Sequence, residues 1–373
     1  MDIAGEVDKV KRSVSTDAYQ MSFGEVVNLY QDHDLIINPE FQRLFRWTNS
    51  QKSRLIESIL LGIPIPPIFV YELPEGKWEL VDGLQRISTV LEFIGALRDG
   101  ESGEILAPSI LSPTHYLPSL NNAVWERSEV IPDCPLEEQA EIGKVLQLAI
   151  KRSRIGVEIL KRPSDAHTKY DLFQRLNSGG SIANAQELRN CVAVMTDSEL
   201  FRQLREVAGY PSFVTIIQST EEQKKRQRDI EYLMRFLAYR YVPYDGKMDV
   251  EEYITSAIIK IAEEKIFSPL ADSNFKETFD LLYRALGSDA LKRFSDDRFS
   301  GRVGLTALET VAVGVSVNLD LIRGQNEPDN FVRHKVKALW GIEDVANFSR
   351  AGVTGTQRIQ KSIPFGKTWF RPE

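Results

Sequence analysis

The stretch Val81-Asp82-Gly83-Leu84-Gln85-Arg86-Ile87-Ser88-Thr89 constrains the fold of this chain more than any other. It lies where a strand-like run, Trp78-Glu79-Leu80-Val81, ends and a helical pattern, Ile87, Val90, Leu91 and Ile94, begins. A tight strand-to-helix turn calls for a permissive backbone at Gly83. It does not call for the amide of Gln85 or the permanent cation of Arg86. An acid, an amide and a guanidinium beside a helix N-terminus suit a phosphate ester or a metal–phosphate pair, because the free N–H groups and the helix dipole there favour anions. The plainer alternative is a helix capped by Asp82 with Arg86 on its exposed face. Taken alone, the segment leaves both open.

The flanking sequence reads as a small sheet with helices. Ser22 caps a helix with Phe23, Val26, Val27 and Tyr30 at helical spacing, and Leu35-Ile36-Ile37 is a short strand ended by Asn38-Pro39. Thr48-Asn49-Ser50-Gln51 has the form of a capping box ahead of the stripe Leu55, Ile56, Ile59 and Leu60, and Gly62 with Pro64 stops that helix. Ile68–Tyr71 and Trp78–Val81 form a hairpin about Pro74-Glu75-Gly76-Lys77. Residues 98–135 are rich in Gly, Ser and Pro and read as an irregular insertion or lid. A helix is expected from Glu137 to Leu148, a strand from Arg154 to Leu160, a helix over Tyr170–Leu176, a loop at Asn177–Gly180 and a helix containing Ala185–Asn190. Beyond about residue 195 nearly everything has helical period, including a core helix from Leu305 to Ile322. Three regions are therefore expected: a flexible leader over 1–18, an α+β domain over 19–195 and a helical domain over 196–373.

Composition narrows the class. With 373 residues the chain holds one large domain or two modest ones. The formal net charge of −7 argues against coating nucleic acid by charge alone, while leaving room for a local basic groove. Cys134 and Cys191 are too few for a metal cluster or a disulfide framework, and the first twenty residues have no apolar signal segment. A reduced cytoplasm fits, with no membrane span. The four histidines, His33, His115, His167 and His334, are scattered without metal-ligand spacing, and no His-Asn-His signature occurs.

Three more groups carry chemistry. Phe41-Gln42-Arg43-Leu44-Phe45-Arg46-Trp47 suits a phosphate plus a stacked base, or is a surface turn with arginines lying along aromatic side chains. Phe173-Gln174-Arg175-Leu176-Asn177-Ser178-Gly179-Gly180 either lets backbone approach a ligand or ends a helix with its glycine cap. The basic run Lys224-Lys225-Arg226-Gln227-Arg228, followed by Arg235 and Arg240, is flanked by Glu221, Glu222, Asp229 and Glu231. It reads as a solvated, salt-bridged helix face.

Taken in order, Asn38–Arg43 through Trp47, Leu55–Pro67, Asp82–Arg86, Phe173–Gly180 and Glu187-Leu188-Arg189-Asn190 resemble the GmrSD-type N-terminal domain family, most strongly from about residue 20 to 195. The stretch from Arg358 to Phe370 is similar to stand-alone members. The resemblance implies a ParB/sulfiredoxin-like α+β fold, a small mixed sheet with helices, followed here by the mainly helical C-terminal domain. It also implies a role in restriction of foreign DNA, with the Asp-Gly-x-Gln-Arg motif binding and hydrolysing nucleotide. Leu84 stands where that motif usually has Gln, so one hydrogen-bonding group of the family's site is replaced by an apolar one. The C-terminal His-Asn-His nuclease domain of larger relatives has no counterpart after residue 195.

The resulting expectation is a nucleotide-binding, NTP-hydrolysing regulatory or sensor component of a DNA-restriction or phage-defence system. Asp82, Gln85 and Arg86 form its catalytic group. Gln42, Arg43, Arg46, Trp47, Gly83, Arg175, Asn177, Gly179 and Gly180 are expected to hold the nucleotide, with Mg²⁺ on Asp82 and a nucleoside triphosphate as ligand. DNA and a partner protein such as a nuclease subunit are the expected partners. Two alternatives are a non-catalytic DNA-recognition or partner-binding module using the same groove, and a ParB-like metal-dependent nuclease acting through Asp82 and Glu40.

Overall fold

The computed structural model describes residues 15–37, 47–73, 75–100, 102–132, 134–161, 185–225, 227–348, 350 and 352–372. The chain divides into two compact units, one running to Gly180 and the other starting at Ser181. The first is α+β and the second mainly helical.

The first unit is built on a five-stranded mixed sheet. Its elements in order are β1 (Ser15–Ser22), α1 (Phe23–Gln31), β2 (Leu35–Ile36), α2 (Asn49–Leu61), β3 (Ile68–Glu72), β4 (Trp78–Asp82), α3 (Leu84–Ile94), a short pair β5 (Ala123–Val124) and β6 (Ala140–Glu141), α4 (Gly143–Arg152) and β7 (Arg154–Lys161). The strand order is β1-β7-β3-β4-β2. The β1/β7 and β3/β4 pairs are antiparallel, and β3/β7 and β2/β4 are parallel. Alternation sorts the two faces. Ile68 and Val70, Leu80, and Ile155, Val157 and Ile159 turn into one core with Phe23, Val26 and Val27 of α1, Leu55, Ile56 and Ile59 of α2 and Ile87, Val90, Leu91 and Phe93 of α3. Each such side chain contributes roughly 1.5–3 kcal/mol on leaving water.

Local signals set the helix starts. Ser22 with Glu25 and Thr48 with Gln51 both form reciprocal capping boxes, and Gly62 ends α2 in the left-handed region at φ 70°. Three expectations shift. Residues 15–18, assigned to a leader, belong to β1, which depends on pairing with β7 more than 130 positions later by register (Ala18 opposite Glu158). The helix expected from Glu137 begins instead at Gly143. Gln139 binds the Ser128 N–H (2.9 Å) and the Ser128 and Cys134 carbonyls (2.9 and 2.8 Å), and Ala140 pairs with Ala123, so this stretch is held extended. The apolar stretch from Leu305 to Ile322 is broken into segments by a π-helical turn at Leu308–Ala312.

The insertion over 98–135 is tethered by one stripe of α2. Asn49, Ser53 and Glu57 lie four residues apart, on one helix face. Asn49 Nδ2 donates to Ser112 Oγ (2.8 Å), Ser53 Oγ accepts the Ser112 N–H (2.8 Å), and Glu57 Oε1 accepts the N–H groups of Tyr116 (2.9 Å) and Leu117 (3.0 Å).

The second unit comprises α5 (Ala185–Thr196), α6 (Ser198–Ala208), α7 (Pro211–Ile217), α8 (Glu221–Lys225), α9 (Arg228–Tyr241), α10 (Val250–Glu263), α11 (Pro269–Leu286), the hairpin β8 (Arg293–Ser295) and β9 (Arg298–Ser300), α12 (Leu305–Ala307), the π turn, α13 (Val313–Val317), α14 (Leu319–Arg323), α15 (Pro328–Leu339), α16 (Glu343–Phe348) and α17 (Gly355–Trp369). Helix α9 is buried over most of its length, from Tyr232 through Tyr239, with Arg235 among its buried side chains. Phe236 from α9 packs edge-on with Phe275 and Phe279 of α11, and Phe213 of α7 joins them. Glu309, in the π turn, is wholly buried. Arg358 Nε of α17 meets both its oxygens at 3.0 and 3.1 Å, and Ser362 Oγ donates at 2.7 Å. Burial raises the Glu309 pKa, against the opposing pull of Arg358. The helices touch at glycine. A Cβ on Gly366 would fall 2.3 Å from the Thr310 carbonyl oxygen, and one on Gly314 would fall 2.5 Å from the Gly366 oxygen. Among the described residues no helix is long and apolar enough to cross a membrane.

The α2 tether yields a pH prediction. A hydrogen bond from the Thr114 side chain, then those from the Tyr116 and Leu117 N–H groups, hold the Glu57 carboxyl below its ordinary value. The depressed pKa means the tether is at full strength above the unfolded value and is lost as pH falls through the folded one. Glu57→Ala should therefore lower the amide protection factors (intrinsic over observed exchange rate) of Tyr116 and Leu117 at neutral pH, and acid should lower those of the wild type. Unchanged protection in the variant would contradict the tether.

Candidate functional site

The β4–α3 junction is made by one residue. Gly83 is the N-cap of α3 at φ 100°, and no side chain caps the helix. Asp82 is thus not a capping residue. Its carboxylate meets Arg86 instead: Arg86 Nη2 donates to Asp82 Oδ2 at 2.8 Å and to the Pro67 carbonyl at 3.1 Å. Both side chains are largely buried, 17% exposed for Arg86 and 29% for Asp82, so Arg86 does not lie on an exposed face. Arg86 Nε is buried with no hydrogen-bond partner among the described residues. A buried, unpaired guanidinium donor beside an uncapped helix start is a feature that an anion would satisfy.

Gln85 works differently from a phosphate donor. Its Oε1 accepts the Trp47 N–H at 3.1 Å, which ties the end of the Phe41–Trp47 segment to the first turn of α3. The Trp47 side chain packs against the core of the first unit, and so does Leu84. Asp82, Gly83, Gln85, Arg86 and Trp47 are therefore brought to one place. Gln42, Arg43, Arg46, Arg175, Asn177, Gly179 and Gly180, with Glu40, lie outside the described residues. Of the Glu187–Asn190 run, Arg189 and Asn190 serve the second unit: Arg189 binds Gln186 and Glu251, and Asn190 binds Gln227.

Sheet register adds residues that the sequence did not single out. Asp82 pairs with Phe69, Phe69 with Glu158, and Glu158 with Ala18, a single row across four strands on the face opposite the core. Two strand spacings put Asp82 and Glu158 about 10 Å apart along that row. Beside Glu158 a cleft of about 500 Å³ is lined by Tyr19, Gln20, Pro64, Pro67, Arg154 and Gly156 among others. Pro67 joins the two places, lining the cleft with its ring while its carbonyl holds Arg86. A Cβ on Gly156 would come within 3.0 Å of the Pro67 Cβ, which accounts for glycine on this floor. Partial burial, with Glu25 and Asp17 nearby, raises the Tyr19 phenol pKa, so at neutral pH it offers a hydroxyl. Arg154, Glu158 and Gln20 become candidates only through strand pairing, which no local motif encodes.

The basic run is accounted for as a salt-bridged face. Lys224 pairs with Glu221, Arg228 lies over the Tyr232 ring, and Arg235 pairs with Glu231 and Glu251. Among the described residues no group of three or more His, Cys, Asp or Glu side chains could hold a metal ion. Mg²⁺ is commonly held by one or two carboxylates plus substrate phosphates, a demand that Asp82 can meet alone.

The junction depends on glycine. A Cβ at position 83 would sit 2.4 Å from Ile68 Cγ2 and 3.3 Å from Arg86 Nη2, in a left-handed conformation. Strain and overpacking together should make Gly83→Ala about 2–4 kcal/mol less stable, read by urea denaturation. A variant as stable as the wild type would show that the junction relaxes freely.

No curated protein and no solved structure matches this chain. A family model does: that of the GmrSD restriction endonuclease, N-terminal domain, matches residues 24–193, which span strands β2, β3, β4 and β7 of the sheet, the junction and most of the first helix of the second unit. Over those residues the chain is similar to the GmrSD restriction endonuclease N-terminal domain.

Proposed function

We propose that the β4–α3 junction binds the phosphates of a nucleoside triphosphate, and that the chain is the nucleotide-dependent regulatory or sensor component of a DNA-restriction or phage-defence system. The observation that carries this reading is Arg86. Its guanidinium is fixed by Asp82 and the Pro67 carbonyl, and it keeps a buried, unpartnered Nε beside the uncapped first turn of α3. A fixed guanidinium beside a helix N-terminus binds an oxyanion at little reorganisation cost. The family of residues 24–193 supports the restriction setting.

Within this reading Asp82 has two duties. One carboxylate oxygen orients Arg86, and the carboxylate holds Mg²⁺ or positions the attacking water. Bound Mg²⁺ would neutralise phosphate charge there. Gln85 positions rather than reacts, since its amide oxygen holds the Trp47 backbone and so sets where the Phe41–Trp47 segment rejoins the site. Gln42, Arg43, Arg46, Arg175, Asn177, Gly179 and Gly180 are proposed to complete the phosphate pocket. Leu84 faces the core and adds no polar contact, so binding is the firmer property and turnover is expected to be slow.

Calorimetry with Mg²⁺ and each nucleoside triphosphate, together with phosphate-release assays, tests the reading. Arg86→Ala should weaken binding by roughly 10–100-fold, the range of a charge-assisted hydrogen bond. Asp82→Ala should abolish release while leaving measurable binding. An Asp82→Ala protein that hydrolyses at the wild-type rate would remove the catalytic assignment. Absent nucleotide heat, with steeply salt-dependent binding of DNA duplexes, would favour a non-catalytic recognition module instead.

A further inference from the structure

The basic surface of this acidic chain is not where the Lys/Arg run suggests. Residues 330–340 and 350–372 contain no Asp or Glu and carry eight cations: Arg333, Lys335, Lys337, Arg350, Arg358, Lys361, Lys367 and Arg371. Among the described residues only Arg358 of these has a carboxylate partner, that of Glu309. The two segments form α15 and α17, joined where Trp369 Nε1 donates to the Lys335 carbonyl at 3.0 Å.

At that junction lies a cleft of about 370 Å³ lined by Lys335, Phe365, Thr368, Trp369, Arg371 and Pro372, with no acid in its wall. The Phe365 and Trp369 rings stack at 5.8 Å and 15°, and the Lys335 ammonium rests 4.8 Å from the Trp369 ring centre. Neither Lys335 nor Arg371 has a carboxylate partner among the described residues. On another side of α17, Lys367 lies near Arg240, also without an acid, and burial together with that cation lowers its pKa. A complementary occupant must therefore be anionic and must offer a planar apolar face.

We infer that this cleft on the helical unit binds single-stranded nucleic acid, with Lys335 and Arg371 taking phosphates and the Phe365–Trp369 pair taking a base. The chemistry is that of stacking platforms joined to a cationic track. Lys335 has a flexible stem and is held by cation–π contacts to Trp369 and Phe331, so a phosphate can draw the ammonium outward and leave the Trp369 face to a base. A base in a duplex already stacks on its neighbours and cannot take that face without being extruded. The site shares no residue with the β4–α3 junction, and its occupancy does not rest on the nucleotide reading.

The test is fluorescence anisotropy of the full chain with a labelled oligothymidylate of about 20 nucleotides, the matching duplex, and an abasic strand of equal charge, each at low and moderate salt. The single strand should bind at least about tenfold more tightly than the duplex or the abasic strand. Lys335→Glu with Arg371→Glu should weaken single-strand binding at least about tenfold and lower the salt slope by about 1.4, at roughly 0.7 for each lost phosphate contact. Asp82→Ala should leave single-strand binding unchanged, which separates this outcome from that of the nucleotide proposal. Wild-type affinity in the double variant would overturn the site. Equal affinity for the abasic strand or the duplex would overturn base stacking and with it the assignment to a single strand.

Discussion

The backbone of Gly83 is the constraint on which the candidate site depends. Because it turns strand into helix in one residue at positive φ, Asp82 ends β4 and Leu84 begins α3. Arg86 then reaches back across the turn to a residue that is not in its own helix. The same geometry sets Gln85 against the Trp47 backbone and Arg86 against the Pro67 carbonyl. One permissive residue thus draws together three segments that lie apart in the chain: the end of the Phe41–Trp47 stretch, the proline-rich turn after α2 and the β4 strand end. The absence of a side-chain cap follows from the same choice, since a capping Ser, Thr or Asp at this position would need the Cβ that Ile68 forbids.

What was legible in the sequence was local. The capping boxes at Ser22 and Thr48, the stop at Gly62 and the hairpin of β3 and β4 rest on residues within a turn or two of each other. The Asp82–Arg86 pairing is just as local, yet the motif alone suggested Asp82 as a cap or metal ligand and not as the partner of Arg86. Features set by distant pairing were not legible. Strand β1 has little alternation of its own and exists because β7 completes it. The stretch after Glu137 has helical spacing, yet Gln139 spends its amide on the Ser128 and Cys134 backbone, which keeps the chain extended until Gly143. Glu158 and Arg154 enter the site through register alone.

Charge was misleading in an instructive way. Of the conspicuous Lys/Arg run, Lys224 pairs with Glu221 one turn back and Arg228 lies over the Tyr232 ring, while Arg235 further on pairs with Glu231. The cations of α15 and α17 are spaced too widely to look like a run, and the fold brings Lys335 and Arg371 to one cleft whose described lining holds no carboxylate. Net charge described the whole molecule and not its faces.

The Glu309–Arg358 contact has a consequence for the order of events during synthesis. Glu309 belongs to a wall of the helical unit, and the cation that bonds it directly comes from a helix translated some fifty residues later. Until α17 emerges, closing that wall would bury a carboxylate without the hydrogen bonds of Arg358 and Ser362, with only the more distant charge of Arg235 to offset it, and that state is costly. The glycine contacts of Gly314 and Gly366 make the same demand in steric form, because only the arriving helix fits the groove. Vectorial folding of the second unit is therefore gated by its last helix, and a nascent chain halted before Arg358 displays an unclosed acidic seam for quality control to read.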